Sequence, residues 1–145
     1  MIDKSLIGRE SEPAVHEIEK GMIRRFADAL GDANPIYQDE AAARAAGFPA
    51  LVAPPTFPAV LTSNERFRHS LDLGTRSLLH GEQQFDHVRP VLAGDRITVR
   101  SKVADVQERS GPSGAMDVLV IEDEGRDDKG ELVFRTRSTW ILRRG

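Results

Sequence analysis

Apolar residues recur with a helical period in the first third of the chain. Residues 21–31 carry one apolar stripe with the spacing i, i+3, i+4 and i+7, formed by Ile23, Phe26, Ala27 and Leu30. This spacing predicts a helix that ends at Gly31, a residue type suited to a left-handed helix terminus. A second, shorter helix is predicted over residues 39–46, where acidic side chains begin an alanine-rich stretch and Gly47 ends it.

Prolines interrupt the chain at positions 49, 54, 55 and 58. Pro55 suits the first turn of a helix, where its missing N–H and its fixed φ angle carry no penalty. A helix that starts there carries Phe57, Val60 and Leu61. We therefore predict a third helix, and we expect it to be buried.

The apolar period changes to two in the second half of the chain. Ile97, Val99 and Val103 alternate with polar residues in the manner of a half-exposed strand. Further strands are predicted over residues 78–88, 116–121 and 132–142, with turns at 111–114 and 127–130. Helices followed by an antiparallel meander predict an α+β fold in which the sheet packs one face against a helix.

Composition restricts both the number of domains and the classes of function. A chain of 145 residues, with 39% hydrophobic and 30% charged positions, can bury one core, so we expect a single domain over residues 1–145. The net charge of -3 argues against nucleic-acid binding, and no apolar run is long enough to span a membrane. Cysteine is absent, which excludes thiol nucleophiles and disulfides and fits a cytoplasmic location.

Two segments of the first half carry candidate chemistry. Residues 31–37 read Gly-Asp-Ala-Asn-Pro-Ile-Tyr, and residues 53–58 read Ala-Pro-Pro-Thr-Phe-Pro. Judged as residues alone, Asp32 and Asn34 suit a turn after a helix, because short polar side chains bond nearby backbone amides. A carboxylate at the same position is also a candidate for proton transfer.

The first segment resembles the hydratase signature of the MaoC-like dehydratase family. In that family a Gly-Asp-x-Asn-Pro-aliphatic-His segment supplies an Asp and a His for (R)-specific hydration of enoyl thioesters, or for the reverse dehydration. Residues 53–58, 80–85 and 89–95 are similar to the amino-terminal-type (FAS1-like) dehydratase domain, which often pairs with a catalytically complete hot-dog partner. The resemblance implies a hot-dog fold, an antiparallel sheet wrapped around a buried helix.

The resemblance implies Asp32 and Tyr37 as the catalytic pair, but Tyr37 stands where the family has histidine. Hydration of a conjugated thioester needs a base, an acid and donors for an enolate-like oxygen. Asp32 can fill only one of the proton-transfer roles. A tyrosine with a reference pKa of about 10 is a poor base at neutral pH, so we expect Tyr37 to donate a hydrogen bond and orient the substrate or Asp32.

Four further residues are expected to bind substrate, namely Asn34, Thr56, Phe57 and His80. In the family, backbone N–H groups at the start of the buried helix hold the oxyanion. The prolines at 54 and 55 have no N–H, so such a site would use Thr56, Phe57 or other donors. The Thr56 hydroxyl either contacts substrate or caps the helix.

Histidines elsewhere offer a second source of a base. His80, which lies in a segment that carries the resemblance, and His87 are the candidates to replace the missing imidazole. The four histidines show no close pairing of the kind that zinc prefers. We therefore expect no metal, and we expect no other cofactor.

Together these observations favour one function and leave three alternatives. We expect a subunit that binds an acyl-CoA or acyl-ACP thioester with an incomplete dyad, while a partner carries the complete Asp and His. The chain would form a homodimer, or a heterodimer with another hot-dog subunit. The alternatives are a self-sufficient hydratase or dehydratase that uses Asp32, a hot-dog thioesterase, and a non-catalytic acyl-CoA-binding dimer.

Overall fold

The computed structural model describes residues 1–63, 65–73, 77–111 and 114–143. Its helices are α1 (Lys20–Leu30), α2 (Glu40–Ala45) and α3 (Glu65–Ser70), and short 3-10 helices span Lys4–Leu6, Pro35–Tyr37 and Phe57–Val60. Its strands are β1 (Ala14–Glu17), β2 (Leu78–His87), β3 (Arg96–Gly111), β4 (Gly114–Arg126) and β5 (Leu132–Arg143).

The first two helices begin and end close to their predicted positions. α1 buries Ile23 and Ala27 and ends at Gly31, whose φ of 68° lies in the left-handed region. Asp39 begins α2, where its side chain accepts a hydrogen bond from the Ala41 N–H at 2.9 Å. The helix predicted from the apolar period and the helix predicted from the alanine-rich stretch are therefore both confirmed.

The prediction of a third helix starting at Pro55 is wrong in its extent. A 3-10 helix spans Phe57–Val60, and α3 follows as a separate helix. Phe57 and Leu61 are buried, as predicted, whereas Val60 is 49% exposed. Pro58 contributes to the break, because it has no N–H for an α-helical hydrogen bond.

The described strands form one antiparallel sheet in the order β1-β3-β4-β5-β2. The predicted turn at 127–130 is confirmed, since the Gly130 N–H donates to the Asp127 carbonyl at 2.9 Å between β4 and β5. The predicted turn at 111–114 includes residues 112–113, which lie outside the described residues. β1 was not predicted, because four residues are too few to establish a period.

Bulges in β2 and β3 change which face the side chains occupy. The register shifts between His80 and Glu82 in β2, and between Val103 and Asp105 in β3. One extra residue at a bulge places residues an odd number apart on the same face of the sheet. His80 and Gln83 accordingly line one cavity.

The face of the sheet that packs against residues 57–61 and 67–71 carries two apolar clusters. The first joins α1 and the Phe57–Val60 helix to the sheet, with Ile23, Ala27, Phe57 and Phe134 among its buried members. The second lies beside α3 and is formed by Ile2, Phe67, Leu71, Val103, Val106, Leu119, Ile121 and Leu142. Burial of this apolar surface is the main stabilising contribution to the fold.

A polar row separates these clusters. Ser101, Asp123 and Thr136 lie opposite one another on β3, β4 and β5. The Asp123 carboxylate accepts hydrogen bonds from the Ser101 hydroxyl and from the Thr136 hydroxyl, the latter at 2.9 Å. Burial raises the pKa of Asp123, and the two hydroxyl hydrogen bonds only partly oppose that increase.

Candidate active site

The segment with the predicted catalytic pair forms a tight turn after α1. The Asp32 carboxylate accepts a hydrogen bond from the Asn34 N–H at 3.0 Å. Asn34 Oδ1 accepts one from the Ile36 N–H at 3.2 Å and thereby caps the Pro35–Tyr37 helix. Asp32 and Asn34 are both exposed, and both side chains hold the turn that presents Tyr37.

Tyr37 is the buried member of the pair. It is 7% exposed and belongs to the first apolar cluster. Burial raises the pKa of Tyr37, and the negative charge of Asp32 raises it further. At neutral pH the phenol is therefore protonated, so it is suited to donating a hydrogen bond and unsuited to acting as a base.

Tyr37 lines a cavity of about 340 Å³, here called the Tyr37 cavity. Backbone hydrogen bonds hold its walls together, since the Val52 N–H donates to the Ile36 carbonyl at 3.1 Å and the Ala53 N–H donates to the Val91 carbonyl at 2.8 Å. Tyr37, His87 and Arg89 are its polar side chains, and the rest of the lining is aliphatic or proline. A mainly apolar cavity with a few polar groups is the usual form of a small-molecule site.

His87, near the end of β2, is brought into the same cavity as Tyr37. Its Nε2 donates a hydrogen bond to the Pro55 carbonyl at 2.7 Å. A carbonyl oxygen only accepts, so Nδ1 is the acceptor nitrogen of the neutral ring and can take a proton. From the sequence, His87 is a candidate only as a replacement base, and no motif around it indicates that it lies beside Tyr37.

Arg89 stabilises the loop of residues 89–95, which forms part of the lining of the Tyr37 cavity. Its guanidinium donates to both carboxylate oxygens of Asp95, at 2.7 and 3.1 Å, and lies 3.5 Å from an oxygen of Asp127. The hydrogen bond to Asp95 is the main cause that raises the pKa of Arg89, so the side chain stays charged. The segment 89–95, which carries part of the family resemblance, thus fixes one wall of the cavity.

Three predicted substrate-binding residues, Asn34, Thr56 and Phe57, are not among the described residues that line the Tyr37 cavity. Thr56 is exposed and its side chain makes no capping hydrogen bond to the helix that follows, so the capping alternative is wrong. Phe57 is 1% exposed and packs edge-on against Phe26, with ring centroids 5.3 Å apart. The Phe57 N–H donates to the Pro54 carbonyl at 2.9 Å and is used within the turn.

His80, the remaining predicted substrate-binding residue, lines a second cavity. This cavity of about 220 Å³, here called the Asp123 cavity, lies between the polar row and the segments 58–63 and 67–68. His80 Nε2 donates to the Glu82 carbonyl at 3.1 Å. His80 and His87 are separated by about 20 Å along β2, so the structure does not bring His80 to Tyr37.

The antiparallel sheet, packed against the Phe57–Val60 helix and α3, is a hot-dog fold, as expected. Solved structures support this assignment. The 3R-hydroxyacyl-ACP dehydratase complex HadBC from Mycobacterium tuberculosis is similar, with a TM-score of 0.79 and 29% identity over 94% of this chain and 96% of that chain. A MaoC-like dehydratase has a TM-score of 0.84 and 25% identity, over 95% of this chain and 42% of that chain.

The family model described as "FAS1-like, dehydratase domain region" matches residues 5–136. The chain therefore belongs to the FAS1-like dehydratase domain family. The predicted relationship to MaoC-like dehydratases is thereby confirmed. A UPF0336 protein of Streptomyces coelicolor is 41% identical over 147 residues, which cover 98% of this chain and 95% of the relative. Another UPF0336 protein, from Thermobifida fusca, is 36% identical over 98% of this chain and 94% of the relative.

Within the described part of the chain, no helix is long and apolar enough to cross a membrane.

Proposed function

We propose that this chain is an acyl-thioester-binding subunit of a cytoplasmic (R)-specific hydratase or dehydratase, and that a second hot-dog subunit supplies the complete dyad. One observation carries the proposal. Tyr37, at the position of the family's histidine, is buried, and this burial, together with the nearby charge of Asp32, raises its pKa. The chain therefore lacks a base at this position that is effective at neutral pH, and Asp32 can fill only one proton-transfer role.

The Tyr37 cavity supports thioester binding. Its volume of about 340 Å³ falls within the usual range of ligand sites, roughly 300–1,000 Å³. Its aliphatic and proline walls suit an acyl group, and the protonated Tyr37 hydroxyl suits a thioester carbonyl as a hydrogen-bond acceptor. We infer that Tyr37 orients the thioester of an acyl-CoA or acyl-ACP.

The outer edge of β2 supports a hot-dog partner. β2 lies at one end of the sheet and pairs with β5, and its other edge has no strand partner among the described residues. Leu78 and Leu79 of β2 are 38% and 46% exposed, and Val88, which directly follows β2, is 66% exposed. Long edge strands with exposed apolar residues are normally covered. The similar HadBC and ChsH1-ChsH2 structures are complexes of two named components, so we infer that β2 pairs with a second hot-dog chain.

The test is hydration of crotonyl-CoA and of a longer trans-2-enoyl-CoA, followed by the loss of enoyl absorbance. We expect no turnover by this chain alone, and turnover when it is combined with a hot-dog subunit that carries the complete Asp and His motif. Asp32→Asn in this chain should change the combined rate by less than tenfold, whereas loss of a general base costs about 10²–10⁴-fold. Turnover by the chain alone that Asp32→Asn abolishes would contradict the proposal.

A self-sufficient hydratase is the second candidate, because His87 and Tyr37 line one cavity and His87 Nδ1 is free of the Pro55 hydrogen bond. In that case the chain alone would turn over enoyl-CoA, and His87→Gln would lower the rate by about 10²-fold or more. His69→Gln is the matched control, since His69 is exposed on α3 and does not line the Tyr37 cavity. Equal rates for the two variants would exclude His87 as the base.

A further inference from the structure

The Asp123 carboxylate is a largely buried acidic group with no role in the proposed reaction. Its hydrogen-bond donors are the hydroxyls of Ser101 and Thr136, and within the described residues no cation pairs with it. An ionised carboxylate offers about four lone-pair sites, and these hydroxyls occupy two. Asp123 also lines the Asp123 cavity, so its carboxylate can meet a group that enters there.

The Asp123 cavity has a polar floor and a mixed roof. Asp123, Thr136 and Ser138 lie on the sheet side, while Pro58 and Ala59 lie on the opposite side. The cavity volume of about 220 Å³ is the volume that roughly seven water molecules occupy in the liquid, at about 30 Å³ each. The space therefore suits one end of a ligand that carries a polar group.

The residues that line the Asp123 cavity favour a ligand that ends in a neutral hydroxyl over one that ends in an alkyl or a cationic group. An alkyl group would exclude water from the Asp123 carboxylate and leave its remaining acceptor sites without donors, which is unfavourable. Arg68, which lines the cavity and lies 5.0 Å from the centre of the Trp140 ring, would repel a cation. A hydroxyl can donate to Asp123 and accept from the Gln83 amide or from Arg68.

We propose that the Asp123 cavity recognises a hydroxyl group on the acyl chain of the thioester that this subunit binds. The inference rests on the proposed thioester binding at the Tyr37 cavity. Gln83 lines the Asp123 cavity and His87 lines the Tyr37 cavity. The two residues are four positions apart on β2, a distance of about 13 Å along the strand. An extended chain advances about 1.2 Å per bond, so the hydroxyl stands roughly ten bonds from the thioester.

Tryptophan fluorescence reports directly on this cavity. Trp140 is the only tryptophan in the sequence, and it lines the Asp123 cavity. The purified full chain is titrated with decanoyl-CoA and with 10-hydroxydecanoyl-CoA, and Kd is confirmed by calorimetry. We expect the hydroxylated thioester to bind at least tenfold more tightly and to change the Trp140 emission.

Variants of Asp123 separate recognition from general binding. Asp123→Leu should abolish or reverse the preference, whereas Glu122→Leu should retain it, because Glu122 is the neighbouring acidic residue on the exposed face of β4. If Asp123→Leu does not fold, Asp123→Asn should reduce the preference, because hydrogen bonds to charged groups are the stronger ones.

The outcomes distinguish the two proposals. Equal affinity of the wild-type chain for both thioesters, or tighter binding of decanoyl-CoA, would overturn hydroxyl recognition and leave thioester binding intact. A preference that Asp123→Leu leaves unchanged would assign the recognition to another site. Absence of binding for both thioesters would overturn the proposed function together with this inference.

Discussion

Gly125 lies against the ring of Phe134, and substitution by alanine tests how tightly the sheet packs in the first apolar cluster. The two residues lie opposite each other on β4 and β5. A Cβ atom at position 125 would lie 2.3 Å from Cζ and 2.4 Å from Cε1 of Phe134, whereas carbon atoms prefer about 3.5–4.0 Å. The ring must move by about 1 Å or more, and because Phe134 is fully buried its neighbours must move with it.

We expect Gly125→Ala to lower the free energy of unfolding by about 1–3 kcal/mol, the usual effect of overpacking a core. For a domain of this size each kcal/mol lowers Tm by roughly 2–4 °C. Urea titration and thermal melting followed by circular dichroism measure both quantities. An unfolding free energy equal to or above that of the wild type would refute the packing argument.

Gly21→Ala is the matched control for Gly125→Ala. Position 21 lies in the first turn of α1, and a Cβ there would meet only the flexible end of Arg25, at 3.2 Å from Nη1. Alanine is a better helix former than glycine by up to about 1 kcal/mol. The control should therefore be neutral or stabilising, which separates the contact with Phe134 from a general effect of adding a methyl group.

Three further outcomes follow from the core and the site. The stabilising effect of Asp123→Asn should grow as pH rises from 3.8 towards the raised folded-state pKa of Asp123 and should stay constant above it, because ionisation within that window favours the unfolded chain. Urea titrations across pH measure this, and a difference that does not grow anywhere above pH 3.8 would contradict it. Phe57→Ala should cost about 3–5 kcal/mol in thermal or urea unfolding, since Phe57 is 1% exposed; a loss below about 1 kcal/mol would refute its core role. Tyr37→Phe should lower the turnover of the combined subunits by less than tenfold, against about 10²–10⁴-fold for loss of a base.

Local patterns made much of this fold predictable from the sequence. α1 and α2 follow from an apolar stripe, acidic first-turn residues and glycines, all of which act within a few residues. The Asp32 turn was predictable for the same reason, because its hydrogen bond joins residues two apart. The hairpin between β4 and β5 follows from its turn residues.

Contacts between distant residues explain what the sequence did not predict. The hydrogen bond from His87 to Pro55 joins residues 32 positions apart, so no local pattern indicates that His87 enters the Tyr37 cavity. The full length of β3 was missed because its bulge places the buried residues Val103 and Val106 three apart, which breaks the period of two. Burial of Tyr37 likewise depends on tertiary packing, and it further raises the pKa of a phenol that is already a poor base at neutral pH.

The bulge at Gly81 makes the length of β2 a determinant of ligand chemistry. Because of that one extra residue, His80 faces the Asp123 cavity from one side of the bulge, while Gln83 faces it from the other. Deleting Gly81 would shift the register of β2 on one side of the bulge by one residue. The side chains that now face the cavity from that side would then face outward, and their neighbours would face inward, although no cavity-lining residue is itself substituted. Relatives that differ by a single insertion or deletion here should therefore differ in the proposed hydroxyl recognition more than relatives that differ by several substitutions.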